Sequence, residues 1–148
     1  MKTFKHIMVP IDFSENAPKI LQSAVDVAEK FEAELTVIFV VQSFEDYSGF
    51  FVPHLPIAQF EAEIFEGAEK KMALFLEENL KTDIKHSTTI LKGDVAEEIT
   101  SWAKDHNVDM IIMGTHGYKG LEKILFGSVA ELVVKTSPCP VLTVNPYQ

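Results

Sequence analysis

Four of the chain's seven glycines fall in GTHGYKGLEKILFGS, residues 114–128: Gly114, Gly117, Gly120 and Gly127, the last followed directly by Ser128. Glycines gathered this way either turn the chain sharply or let the backbone come close to a bound group, such as a phosphate. A helix opening at Gly127-Ser128 would aim free N–H groups and a partial positive charge at an anion. The Ser128 hydroxyl would add one donor, or cap its own helix. Gly114 and Gly117 would turn the chain beside a sugar and the first phosphates. Lys119 and Lys123 put local positive charge into the same loop. Asp12 is the other residue of chemical interest; it stands just past an apolar segment, as a ligand-facing carboxylate or as a cap or solvated turn residue.

These residues need elements that bring them together. FKHIMVPI (4–11) reads as a buried strand that Pro10 ends, because proline cannot donate to a ladder. Ile20, Leu21, Ala24, Val25, Ala28 and Phe31 recur at helical spacing, with Ser14 as the expected N-cap and Pro18 tolerated in the first turn. ELTVIFVV (34–41) is apolar on both faces, the mark of a parallel strand covered by helices. Residues 42–56 have no period; Phe44, Tyr47, Phe50, Phe51 and two prolines make an aromatic loop. A helix follows from Ile57 to about Leu80, with Ile57, Phe60, Ile64, Ala68, Met72 and Phe75 in one stripe. IKHSTTIL (84–91) is a third strand, Gly93-Asp94 a turn and cap, and residues 94–106 a helix bearing Val95, Ile99 and Trp102. VDMIIMG (108–114), a helix from about Ser128 to Lys135, and VLTV (141–144) complete the chain.

Strands alternating with helices define an α/β fold, a mostly parallel sheet wrapped on both faces with right-handed crossovers. Such sheets bind ligands at the carboxyl ends of their strands, where the strand order reverses. If the first and fourth strands are neighbours there, Asp12 and the glycine loop face one crevice. Other phosphate motifs fail: there is no GxxxxGK[ST], and the glycines of GTHGYKG are spaced three and three, after the fourth strand rather than the first.

The bulk properties narrow the partners. The 148 residues read as one domain, 1–148, with 47% hydrophobic and 24% charged residues and a formal net charge of −9. That charge argues against nucleic acid and anionic membrane surfaces, though not against a small anionic ligand held by local dipoles. The apolar runs are far too short to cross a bilayer, and the N-terminal one is too short for a signal peptide. One cysteine, Cys139, forms no intrachain disulfide; it reads as a small buried apolar group in a cytoplasmic protein. The five histidines have no spacing for a protein-built zinc site. His116 reads as an exposed loop residue rather than a catalyst.

Gly114-x2-Gly117-x9-Gly127-Ser128 resembles the G-2x-G-9x-G-[S/T] nucleotide signature of the universal stress protein family. VPIDFSENA (9–17), ILKGDVAEEI (90–99), VDMIIMGTHG (108–117) and SPCPVLTV (137–144) resemble its other blocks in order, over nearly the whole chain. The resemblance is to the ATP-binding branch. It implies a Rossmann-like, adenine nucleotide alpha hydrolase-like three-layer sandwich with a five-stranded parallel sheet of order 3-2-1-4-5. It implies homodimers, and ATP, ADP or AMP as ligand, with Mg²⁺ or Mn²⁺. By matching motif, Pro10 and Asp12 would line the adenine and ribose end, and Val40 would meet the adenine through its backbone. Met113 and Gly114 would contact the nucleoside. Gly117, Gly127, Ser128 and Val129 would hold phosphates. The aromatic loop lies where members of the family differ; it reads as packing or a dimer contact, or as a cover for the nucleotide.

The last strand would leave unpaired backbone groups at a sheet edge. Pairing with a twofold mate through residues 140–146 satisfies them, the arrangement the resemblance also suggests. The expected function is a nucleotide-dependent stress-response regulator. The competing readings are a slow ATPase or phosphoryl-transfer enzyme, for which no base is evident, and a nucleotide-free interaction dimer.

Overall fold

The runs IMVP and VIFVV are strands because both of their faces are covered. The computed structural model describes residues 3–42, 57–116 and 126–148. Along them run β1 (His6–Pro10), α1 (Ala17–Phe31), β2 (Glu34–Val41), α2 (Ile57–Asn79), β3 (His86–Lys92), α3 (Val95–Asp105), β4 (Met110–Gly114), α4 (Phe126–Thr136) and β5 (Val141–Val144). All five strands are parallel, in the order β3-β2-β1-β4-β5. The fold is the α/β sandwich, with the strand order, that the sequence led us to expect.

Side chains alternate across the sheet. Ile7 and Val9 of β1, Leu35 and Val37 of β2 and Ile112 of β4 join a core with Ile20, Leu21 and Ala24 of α1 and Met72 of α2. Met8, Ile38, Val40, Ile111 and Met113 point the other way, onto Ala96 and Ile99 of α3 and Ala130 and Val133 of α4. Among the described side chains burial follows the expected helical stripes, with one departure. Phe31, the last residue of α1, is 42% exposed and meets Phe4 edge-on.

The helix termini are set by local side-chain and backbone bonds. Asp94 caps α3, its carboxylate accepting the Glu97 N–H at 3.1 Å. Gly93 before it has φ +144°, a conformation open to glycine. Ser14, by contrast, is not the N-cap of α1. The helix begins at Ala17, and Asn16 holds the cap position without a side-chain cap bond. Ser14 works one step earlier: its hydroxyl accepts the Asn16 N–H at 3.3 Å and its carbonyl accepts the Ala17 N–H at 3.1 Å. Pro18 sits in the first turn, where its missing N–H leaves nothing unpaired.

A polar seam crosses the amino-terminal edge of the sheet. His6 Nε2 lies 2.8 Å from the Thr36 hydroxyl, which lies 3.1 Å from that of Ser87. His6 Nδ1 faces the His106 carbonyl at 3.3 Å. A carbonyl only accepts, so in the neutral ring Nδ1 donates, Nε2 accepts from Thr36, and Thr36 accepts from Ser87. Trp102 of α3 closes the seam, edge-on to His6 and stacked on His106 with centroids 3.8 Å apart.

Candidate functional site

The sheet opens where its strand order reverses. β1 pairs with β2 over five residues, His6 to Pro10. With β4 it pairs only at Ile7↔Met110 and Met8↔Ile111. That ladder stops two residues short of Pro10, which has no N–H to carry it on. β1 and β4 are therefore neighbours, and their exits frame one crevice at the carboxyl edge.

Asp12 lies on the first wall, half-buried. One of its carboxylate oxygens accepts the Ser14 N–H at 2.9 Å, closing an Asx turn that aims the chain into α1. The residue between them, Phe13, has φ +60°, costly for an aromatic residue with no glycine-like freedom. Packing holds it there. Its ring lies 4.6 Å from that of Phe39 on β2 and 5.9 Å from that of Phe75 on α2, with Lys71 Nζ over its face at 5.6 Å. A strained residue braced from two elements fixes where Asp12 sits.

Pro10 is buried at the end of β1. Val40 is buried near the end of β2, opposite Leu91. Met113 and Gly114 close β4, opposite Thr143 and Val144. Thr115 and His116 follow, half-buried, with the Thr115 hydroxyl 2.8 Å from His116 Nδ1. Gly127 and Ser128 lie in the first turn of α4, which begins one residue earlier, at Phe126. Ser128 is exposed, and Val129 packs against the α3–α4 core. No acidic residue stands in that first turn to oppose an anion. Gly117, Gly120, Lys119, Lys123 and the aromatic loop residues Phe44, Tyr47, Phe50 and Phe51 lie outside the described residues.

Three expectations are corrected. His116 is half-buried rather than exposed, its Nδ1 against the Thr115 hydroxyl. Gly114 does not turn the chain. It is a buried strand residue, and it is not among the residues with positive φ. A Cβ there would stand 2.3 Å from Cδ1 of Ile20, so glycine at 114 serves the close approach of α1 to β4. Cys139 is half-buried rather than buried, at the edge of the α3–α4 core with the Ser137 hydroxyl 3.6 Å from its sulfur.

Sequence reasoning passed over Asn16, Phe13 and Tyr147. Asn16 is 6% exposed and donates through Nδ2 to the Tyr147 hydroxyl at 3.3 Å. No local signal pairs residues so far apart in the chain. Phe13 could have been suspected from its place inside the DFSEN turn, where an aromatic residue is out of character.

Among the described residues no group of three or more His, Cys, Asp or Glu could hold a metal ion, and no helix is long and apolar enough to cross a membrane. A cavity of about 490 Å³ opens at the opposite edge, among Lys5, Lys85, Glu29, Glu32 and Glu34. Its charges largely offset each other, as in the Lys85–Glu34 pair at 3.4 Å, and none of the residues above lines it.

The fold is a doubly wound parallel α/β sheet whose strand order reverses between β1 and β4, the place where sheets of this kind hold ligands. The universal stress protein family model matches residues 3–145, and the chain belongs to that family. A universal stress protein of Methanocaldococcus jannaschii is 38% identical over 149 aligned residues, covering 96% of this chain and 82% of its own. Among solved structures, the universal stress protein UspA from Lactobacillus plantarum is similar with a TM-score of 0.79 and 26% identity, over 98% of this chain and all of its own. A universal stress protein from Archaeoglobus fulgidus, solved in complex with dAMP, shares the fold with a TM-score of 0.68 at 18% identity, over 97% of this chain and all of that one.

Proposed function

We propose that the chain binds an adenine nucleotide, ATP foremost, in the crevice between the β1 and β4 exits, and acts as a nucleotide-dependent regulatory module in a stress response. The observation that carries this reading is the adjacency of β1 and β4, which puts the Asp12 turn and the root of the glycine loop on one crevice. The Gly114-x2-Gly117-x9-Gly127-Ser128 spacing supports it. So does the dAMP complex of the Archaeoglobus fulgidus protein, which has this fold.

In this reading Pro10, Asp12 and the Val40 backbone take the adenosine end, and Met113 and Gly114 flank the nucleoside. Gly117, Gly127, Ser128 and Val129 present the phosphate site, where the α4 dipole favours negative charge. A Mg²⁺ or Mn²⁺ ion would be carried on the phosphates, with the Asp12 carboxylate offered from the first wall; no protein cage is needed. The same reading places the protein in the cytoplasm as a homodimer joined through residues 140–146. Leu142 on the β5 edge, with Leu132 and Val134 on α4, leaves apolar surface 41%, 50% and 54% exposed for such a contact.

Isothermal titration of the nucleotide-stripped protein with ATP, with and without Mg²⁺, tests the site. Saturable binding near one ATP per chain is expected. Gly117→Val should abolish it with the fold intact, and Ser128→Ala should weaken it by about 1 kcal/mol, one neutral hydrogen bond. Unchanged affinity in Gly117→Val would remove the loop from the site. Turnover under saturating Mg-ATP separates a regulator from a slow ATPase, and the regulator predicts none above background.

A further inference from the structure

The last four residues do not trail away from β5. The Val144 carbonyl accepts the Thr115 N–H at 3.0 Å and the Thr115 hydroxyl at 3.4 Å. Asn145 then reverses the chain: its Oδ1 accepts the Tyr147 N–H at 3.0 Å, and its carbonyl accepts the Gln148 N–H at 3.3 Å. This Asx turn sends Tyr147 back toward the rim of the crevice. There the Tyr147 hydroxyl accepts from Asn16 Nδ2 at 3.3 Å, and its ring stands edge-on to His116, centroids 5.1 Å apart at 73°. Lys19 Nζ donates to the Pro146 carbonyl at 2.8 Å.

One side chain thus touches both walls: the β1–α1 turn through Asn16, and the β4 exit through His116, the residue just before Gly117. We infer that Tyr147 is a positioning residue, a clasp that sets the spacing of the two walls and so the affinity of the crevice for its nucleotide; the inference rests on the nucleotide reading above. Tyr147 is 52% exposed, and its side chain is held by weak contacts at the ring edge and the hydroxyl. It is therefore free to open and close while the core stays folded. Only Asn145 and Pro146 separate it from β5, so occupancy of the crevice is linked to the edge of the sheet. Linkage is reciprocal: if a closed clasp raises affinity for the nucleotide, the nucleotide must favour the closed clasp by the same factor.

The test uses the nucleotide-stripped chain of residues 1–148. ATP affinity is measured by titration calorimetry for wild type, Tyr147→Phe and Tyr147→Ala, with thermal unfolding of each ligand-free protein. Hydrogen exchange of residues 145–148 is followed in wild type with and without ATP. Tyr147→Ala, which removes both contacts, should weaken binding about tenfold, and Tyr147→Phe, which keeps the ring, about threefold. Unfolding midpoints should stay within about 2 °C of wild type, and tail exchange should slow with ATP. Wild type that binds ATP, with Tyr147→Ala within twofold of it, overturns the clasp and leaves the nucleotide site standing. So does tail exchange indifferent to ATP. Affinity that falls only in step with the midpoint makes Tyr147 a stability residue and also overturns it. Wild type that binds no adenine nucleotide removes the nucleotide reading, and the clasp with it.

Discussion

The Cβ that Gly114 lacks would lie 2.3 Å from Cδ1 and 3.1 Å from Cγ1 of Ile20. Ile20 is 1% exposed, so its side chain has little room to withdraw. Gly114→Ala should therefore destabilise the protein by about 1–3 kcal/mol, the usual penalty of overpacking. Ile20→Val removes the clashing Cδ1 and should recover part of that loss when the two are combined, although alone it costs about 0.5–1.5 kcal/mol. Urea unfolding of the four proteins in the cycle gives the coupling directly. Strict additivity would mean that α1 shifts as a body and that the contact is not the reason for glycine.

Phe13 reverses the ordinary ranking of alanine over glycine. At φ +60° an alanine retains the steric penalty of a left-handed L-residue, roughly 1 kcal/mol, while glycine does not. Both lose the contacts with Phe39, Phe75 and Lys71. We expect both variants to be less stable than wild type, with Phe13→Gly the more stable of the two by about 1 kcal/mol. Denaturant midpoints in the opposite order would show that the turn relaxes out of the left-handed region once the ring is gone.

Thr36 is 3% exposed, and its hydroxyl joins His6 Nε2 to Ser87. Thr36→Val preserves shape and strand propensity but leaves a ring nitrogen without that partner, at about 1–3 kcal/mol. Ser87→Ala removes only the exposed end of the chain and should cost less than about 0.5 kcal/mol. Equal effects at the two positions would show that water replaces the threonine hydroxyl.

Leu142→Lys tests the proposed dimer. A charge on the face of an edge strand opposes edge pairing, so the variant should sediment as a monomer at concentrations where wild type sediments as a dimer. The melting profile of each protein at two concentrations checks that the change is in association and not in folding. A wild type that is monomeric throughout would remove residues 140–146 as an interface.

Nearly all of the element order was legible in the sequence because each segment announced its own period. β1 and β2 are continuous apolar runs, α1 and α3 carry clean stripes, and Asp94 is a cap at the position its type demands. Misreadings came where a residue's task is set from outside its neighbourhood. Ser14 has the chemistry of a cap, but Asp12 and Ser14 together spend it on the turn before the helix. Gly114 reads as a turn because three more glycines follow it, yet the contact that requires it belongs to Ile20 on another element. Tyr147 carries no signal at all, since its partners Asn16 and His116 come together only when β1 and β4 are set side by side.

Trp102 is the chain's single tryptophan. Stacked on His106 and edge-on to His6, it is an optical probe of the amino-terminal edge of the sheet. Its emission should change sharply on unfolding, when the imidazole stack is lost, and stay flat through a ligand titration at the opposite edge. A silent tryptophan in this protein therefore says nothing against binding. Tyr147→Trp would supply a second indole beside the crevice, with Trp102 as an internal standard in the same spectrum.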